Sequence, residues 1–316
     1  MIHKPRLLLF GISSFTGYWF AQAASTSGFG VVGVLTKPLT SYDPLRSARL
    51  KRLGSSVELI ESAPLGSDNL LAAVRRLKHV DVVGWHHAVV GDFKSASYPI
   101  GQAIDSALQG IPALAEALTE RGCRGAAISH SVFEADRGLP AGGLPIGRYG
   151  IAKRAVGDAL SLFSAQLGWE TAHFVICNPV GPFENLRLTA YLVREWSHGR
   201  IPSLQAPHWT RDNIPVDLLA TRYADALEGL LQGTGGLFTP SYWPMKNREW
   251  AHKIAENFAP RLGLNCRLAE TEVLDESEPR IRMGVEKIHP PPSWRESEFW
   301  DRYAAFYAAA SALDWL

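Results

Sequence analysis

The sequence predicts an α/β fold built on a doubly wound parallel sheet, with a smaller C-terminal region. Three observations carry that expectation. Short apolar runs recur along the first half of the chain, they alternate with stretches of helical periodicity, and the first of them ends in a glycine-spaced turn placed directly before a helix. The opening run, Arg6 to Phe10, stops at Gly11, and Thr16 to Ala24 reads as the helix that follows. Val31 to Leu35 comes next, after Gly28 and Gly30, and Val57 to Ile60 follows the basic stretch Arg46 to Arg52. Asp68 to Leu77 is helical by periodicity, Val80 to Val83 is a fourth strand, and Ile100 to Arg121 reads as one long helix leading into strand Gly125 to Ile128. Tyr149 to Leu167 is a further long helix, and His173 to Cys177 a further strand. Right-handed crossovers are the economical connection between parallel strands, so this order predicts helices on both faces of the sheet.

Beyond Asn178 the pattern loosens. A helix from Leu186 to His198, a proline-rich stretch from Pro202 to Pro215 and a helix from Leu218 to Leu231 precede mixed structure. The expected division is residues 1–178 as the first domain and 179–316 as the smaller region, with the part near 207–231 returning to the first. The aromatic segment Trp294 to Leu316 is helical, but Arg295, Glu296, Glu298, Asp301 and Arg302 exclude a membrane span, and packing against the core is preferred to packing against a partner.

A chain of 316 residues, 46% hydrophobic and 20% charged, can bury a full core. Its 32 basic and 31 acidic residues leave a net charge of +1, which provides no global field for nucleic acid or an anionic membrane surface. Cys123, Cys177 and Cys266 lie far apart, without metal-ligand spacing, and their odd number argues against a disulfide framework. The apolar run after Lys4 and Arg6 is too short for a signal peptide. A cytoplasmic protein with no nucleic-acid partner, no membrane and no metal is the expectation.

The turn Gly11-Ile12-Ser13-Ser14-Phe15-Thr16-Gly17 places glycines where a strand turns into a helix whose N-terminal N–H groups would face a pyrophosphate. Ser14 stands where a middle glycine is usual, and such a turn is also found as plain strand-to-helix packing. Tyr149 and Lys153 stand one helical turn apart on one face. A cation beside a phenol favours the phenolate and so makes it a usable proton carrier near neutral pH. The pair is also a spacing that chance supplies. Ser129, closing the strand that ends at Ile128, adds a hydroxyl at the carboxyl edge of the sheet, where it can hydrogen-bond a reacting carbonyl.

Taken in order, Gly11 to Gly17, Asp81-Val-Val with His86-His87-Ala88, Ile128-Ser129-His130-Ser131-Val132-Phe133, Tyr149 to Lys153, Cys177-Asn178-Pro179-Val180-Gly181-Pro182 and Arg211-Asp212-Asn213-Ile214-Pro215-Val216-Asp217 resemble the landmarks of the extended short-chain dehydrogenase/reductase family, the NAD-dependent epimerase/dehydratase relatives. The resemblance runs to about Leu231 and continues weakly through Arg280-Ile-Arg282. It implies a Rossmann-type domain, with Tyr149 as general acid/base, Lys153 as the ribose-binding cation that tunes it, and Ser129 as the carbonyl-orienting hydroxyl. It implies cofactor contacts at Gly11, Ser13, Ser14, Phe15, Thr16, Gly17, Ala88, Asn178 and Pro179, besides Tyr149 and Lys153. Substrate contacts fall to His86, Ser131, Asn178, Arg211 and Arg282, the two arginines as diphosphate partners. Ser131 is an alternative to Ser129, although strand alternation is expected to turn it to the other face or onto the loop. His86 and His87 line the pocket or bond backbone; as neighbours in an extended segment they point opposite ways, which opposes joint metal ligation. A homodimer through helices Ile100–Arg121 and Tyr149–Leu167 is also implied.

An acid at the end of the second strand would bind adenosine ribose hydroxyls, and none is present. Thr36, Lys37 and Arg46 stand there instead, which favours NADP(H), with NAD(H) as the alternative. The reading is therefore an oxidoreductase that reduces a keto group of a nucleotide-activated sugar. An NAD-dependent nucleotide-sugar epimerase and a catalytically silent dinucleotide-binding sensor or scaffold are the alternatives.

Overall fold

The computed structural model describes residues 4–93, 95–139, 145–271 and 278–312. The first half runs β1 (Arg6–Phe10), α1 (Phe15–Thr26), β2 (Gly30–Val34), α2 (Pro44–Leu53), β3 (Val57–Ile60), α3 (Asp68–Arg76), β4 (Val82–Trp85), α4 (Ile100–Leu108), α5 (Ile111–Glu120), β5 (Gly125–Ser131), α6 (Gly147–Gln166) and β6 (Glu170–Ile176). These strands form one parallel sheet in the order β6-β5-β4-β1-β2-β3, extended beyond β6 by the short strand Gly236–Phe238. Strand order reverses between β1 and β4, which opens a crevice at the carboxyl edge of the sheet.

Period-two alternation divides β1 between two cores. Leu7 and Leu9 join Phe20, Ala21 and Ala24 of α1 on one face, while Leu8 and Phe10 join Leu70 and Val74 of α3, Leu114 and Leu118 of α5 and Val156 and Leu160 of α6 on the other. Capping fixes where the helices begin. The Ser14 side chain accepts from the Gly17 N–H at 3.0 Å at the start of α1, and Asp43 accepts from Arg46 N–H at 2.9 Å before Pro44 opens α2.

The second half contributes α7 (Leu188–Ser197), α8 (Val216–Leu231), α9 (Asn247–Leu262) and α10 (Glu296–Ala312). Leu219, Tyr223 and Leu227 of α8 pack into the same core as α1, so this helix belongs to the sheet layer. The other three helices enclose an aromatic cluster of Trp196, Trp250, Phe258, Phe299, Trp300, Tyr303 and Tyr307. Beside them Thr210–Pro215 pairs with Trp243–Lys246 antiparallel, and with Asn178–Val180 and Ile281–Arg282 parallel.

Several expectations are corrected. The single helix expected over Ile100–Arg121 is two, because Gly110 adopts φ +69° and Pro112 restarts the chain as α5. A Cβ on Gly110 would also fall 2.6 Å from the Gly66 Cα, so the break is built into the packing. Strand β5 runs to Ser131 rather than stopping at Ile128, and β4 starts and ends two residues later than expected. The proline-rich stretch from Pro202 to Pro215 contains strands Ser203–Gln205 and Thr210–Pro215. The terminal aromatic segment packs on the chain's own core through α10, and its residues 313–316 lie outside those described. Among the described residues no helix is long and apolar enough to cross a membrane.

Candidate active site

A cavity of about 740 Å³ opens at the carboxyl edge of the sheet. Gly11, Ser13, Ser14, Phe15 and Thr16 of the first turn line one side, with Thr36 and Arg46 beyond the end of β2. His86, His87 and Ala88 follow β4; Ser129 and Ser131 come from β5, Tyr149 and Lys153 from α6, and Asn178 and Pro179 from the strand after β6. Arg211 and Arg282 reach the cavity from the small sheet. Two residues expected to contact a cofactor do not line it. Gly17 faces back into the turn, where a Cβ would lie 2.2 Å from the Gly11 carbonyl oxygen, and Lys37 stands exposed beyond Thr36.

Because β5 continues through residue 131, Ser129 and Ser131, two apart, share a face, and the expectation that alternation separates them is corrected. The intervening His130 points the other way, against α6, where a Cβ on Gly157 would fall 2.5 Å from its ring. There His130 Nδ1 lies 2.7 Å from Glu134 Oε2 and its Nε2 3.0 Å from His173 Nδ1. The Ser131 N–H donates to Glu134 Oε1 at 2.8 Å, so a buried carboxylate fastens the end of β5.

The Lys153 ammonium donates to the Ser129 carbonyl oxygen at 2.6 Å. Burial lowers the Lys153 pKa, opposed by the Glu134 charge. The Tyr149 ring sits among Phe93, Tyr98 and Phe133, at centroid distances of 5.8, 5.9 and 6.0 Å. Burial pushes the phenol pKa up, Glu134 and Tyr98 add to the rise, and Arg187 opposes it. The cation bearing on the phenol is thus Arg187, which stacks on Phe93 at 5.1 Å, whereas Lys153, expected to tune the phenol, is turned to the Ser129 carbonyl. Sequence reasoning missed Arg187, since only the path of the chain before α7 brings it to the cavity.

His86 bridges two walls: its Nδ1 is 2.7 Å from Ser129 Oγ and its Nε2 2.7 Å from Thr16 Oγ1. His87 turns elsewhere, with Nε2 3.0 Å from the Ala107 carbonyl oxygen. Burial holds both imidazoles neutral, lowering their pKa values to about 3 and about 4. Among the described residues no group of three or more His, Cys, Asp or Glu is arranged for a metal ion.

Arg211 and Arg282 share one carboxylate, Glu278, at 3.2 and 3.1 Å. Arg282 stacks on Phe133 at 4.3 Å, and burial followed by the repulsion of Arg282 lowers the Arg211 pKa to about 10. The Asn178 amide donates to Asn213 Oδ1 at 2.6 Å. Arg49, almost wholly buried, ties the two halves together by donating to the carbonyls of Ser13 (3.2 Å) and Phe183 (2.9 Å) and to Asn185 Oδ1 (2.8 Å).

No protein-family model matches the chain, and no curated protein matches it. Solved structures do. The UDP-glucose 4-epimerase of Thermus thermophilus in complex with NAD is similar with a TM-score of 0.72 at 16% identity, over 96% of this chain and 99% of that one. The dTDP-glucose 4,6-dehydratase of Streptomyces venezuelae with bound NAD gives 0.72 at 14% identity, over 98% of each chain. The UDP-glucuronic acid 4-epimerase of Bacillus cereus gives 0.69 at 14%, over 96% and 99%. Over almost its whole length this chain therefore has the fold of sugar-nucleotide epimerases and dehydratases, a Rossmann-type parallel sheet with a smaller C-terminal layer.

Proposed function

We propose that the chain is an extended short-chain dehydrogenase/reductase that reduces a keto group of a nucleotide-activated sugar with NADPH. The observation that carries this reading is the meeting of Ser129 from β5 with Tyr149 and Lys153 from α6 on a cavity whose other wall is the glycine turn before α1. The turn fits a dinucleotide. Gly11 has φ +76°, and a Cβ there would fall 2.3 Å from the His86 carbonyl oxygen, so only glycine keeps the backbone this close while α1 presents its positive end to a pyrophosphate.

A bound nicotinamide dinucleotide would supply the hydride. Tyr149 gives its proton to the oxygen that becomes the alcohol; burial raises the phenol pKa and weakens it as an acid, and Arg187 is the cation that opposes the rise. Ser129 holds that oxygen by its hydroxyl. Lys153, with one N–H on the Ser129 carbonyl, keeps two donors for a ribose. Arg211 and Arg282, which among the described residues share the carboxylate of Glu278, are the cations available for a diphosphate.

NADP(H) is supported by Thr36 and Arg46 on the cavity wall. Glu61, which follows β3, accepts from Leu39 N–H at 2.6 Å and does not line the cavity. A homodimer through α4, α5 and α6 accords with the exposed Ile151 and Leu162 on α6. The NAD complexes of the similar enzymes keep the epimerase as the second reading.

The test is to titrate the purified protein with NADPH and NADH, then offer it a panel of UDP- and dTDP-linked keto sugars. Tight NADPH binding, weakened in Arg46→Ala, and consumption of NADPH are expected. Copurified NAD with sugar interconversion and no net consumption would establish the epimerase instead, and failure to bind either dinucleotide would overturn both readings.

A further inference from the structure

We infer that His86 is a positioning residue: held by Thr16, its ring keeps the proton of the Ser129 hydroxyl directed into the cavity. The inference rests on the proposed role of Ser129 as the hydroxyl that holds the reacting oxygen.

The geometry joins three elements that are remote in sequence. His86 follows β4, Ser129 lies on the neighbouring strand β5, and Thr16 stands in the first turn of α1, with both hydroxyl oxygens 2.7 Å from a ring nitrogen. Phe20 packs edge to face against the ring at 5.0 Å, which fixes its plane. A neutral imidazole carries one N–H and one lone pair, so the two nitrogens play opposite roles.

Only one of the two tautomers serves the reaction. With the proton on Nε2, the bare Nδ1 takes the Ser129 proton, and that hydroxyl has none left for a carbonyl oxygen. With the proton on Nδ1, the ring donates to a lone pair of Ser129 Oγ, and the single Ser129 proton is left for the substrate. Nε2 then accepts from the Thr16 hydroxyl. The positive N-terminal end of α1, where Thr16 stands, favours the electron-rich nitrogen facing it. The helix end thus selects the tautomer, Thr16 holds the ring, the ring orients the hydroxyl, and none of these has to touch the substrate to act.

The experiment is nitrogen NMR on the native protein labelled with ¹⁵N-histidine, with dinucleotide bound, assigning His86 by comparison with His86→Asn. A protonated Nδ1 and a bare Nε2 are expected; a bare Nδ1 overturns the inference, whatever the enzyme does. Kinetics give the second readout. At saturating dinucleotide, Thr16→Val should lower kcat roughly tenfold, and Thr16→Ser should restore it. Equal kcat in Thr16→Val and wild type also overturns it. Ser129→Ala separates the two layers of argument. If that variant keeps full turnover the role of Ser129 itself fails, whereas a crippled Ser129→Ala enzyme with a bare Nδ1 leaves that role standing and removes only His86.

Discussion

The sheet layer and the C-terminal layer are held together by different means. Around the sheet, aliphatic side chains from alternating strand positions meet helices on each face, as Leu7 and Leu9 do on one side and Leu8 and Val83 on the other. In the C-terminal layer the core is a pile of rings: Trp243 stacks on Trp300 at 5.8 Å, Trp250 tilts against both, and Phe258 and Tyr303 close the group. Beneath it lies a buried carboxylate, Glu184, that accepts from the hydroxyls of Tyr303 and Tyr307 at 2.6 Å each. A sheet layer distributes its stability over many equivalent contacts, whereas a ring pile concentrates it in a few large residues, so the two halves should fail differently.

Four measurements break or sharpen that contrast. The largest effect belongs to the sheet layer and is chemical. Tyr149→Phe should lower turnover by ~10²–10⁴-fold, with dinucleotide affinity and unfolding midpoint nearly unchanged, and retained turnover would remove the phenol from the mechanism. Next, Trp300→Ala should cost about 3–5 kcal/mol in urea unfolding, because a buried ring is lost from the centre of the pile. Dinucleotide binding to the sheet layer at temperatures where the variant is folded should persist. At the junction, Arg49→Met abolishes donors to Ser13, Phe183 and Asn185 and should cost about 2–3 kcal/mol. A single unbroken transition of wild-type midpoint would show that the bridge does not couple the halves.

The smallest effect is in pH. His86 and His87 refuse protons until about pH 3 and 4, while the unfolded chain takes them up near 6.5. Their contribution is full above pH 6.5 and is lost as pH falls, by up to about 1.4 kcal/mol per unit for each group. Glu184 acts in the opposite direction. Burial raises its pKa, so its contribution is present below the ordinary carboxylate range and declines as pH rises. Urea midpoints across pH should therefore show a shallower acid limb in His87→Leu, where His86 still contributes, and a weaker decline above the ordinary carboxylate range in Glu184→Gln; profiles identical to wild type in both variants would refute the assignment.

The same contrast explains what could be read in advance. Short apolar runs such as Arg6–Phe10 and Val31–Leu35 reveal themselves by their length and bounding glycines, and Tyr149 with Lys153 by spacing on one helix. The ring pile is drawn from α7, α9 and α10, which no local pattern unites. The break at Gly110 depends on Gly66, packed against it from another part of the chain. His86 is legible as a pocket residue, but its contact with Ser129 exists only once β4 and β5 lie side by side. Arg187 owes its place at the phenol to the route of a loop.

A methyl group has no room on Gly11, because the carbonyl of His86 is already there. The strip of backbone at the end of β1 and the peptide that carries the imidazole are thus stacked like two plates with no spacer. Whatever presses on one displaces the other. Gly11→Ala would consequently disturb a hydroxyl two strands away from it, and no change engineered into this turn can leave the His86–Ser129 end of the cavity untouched.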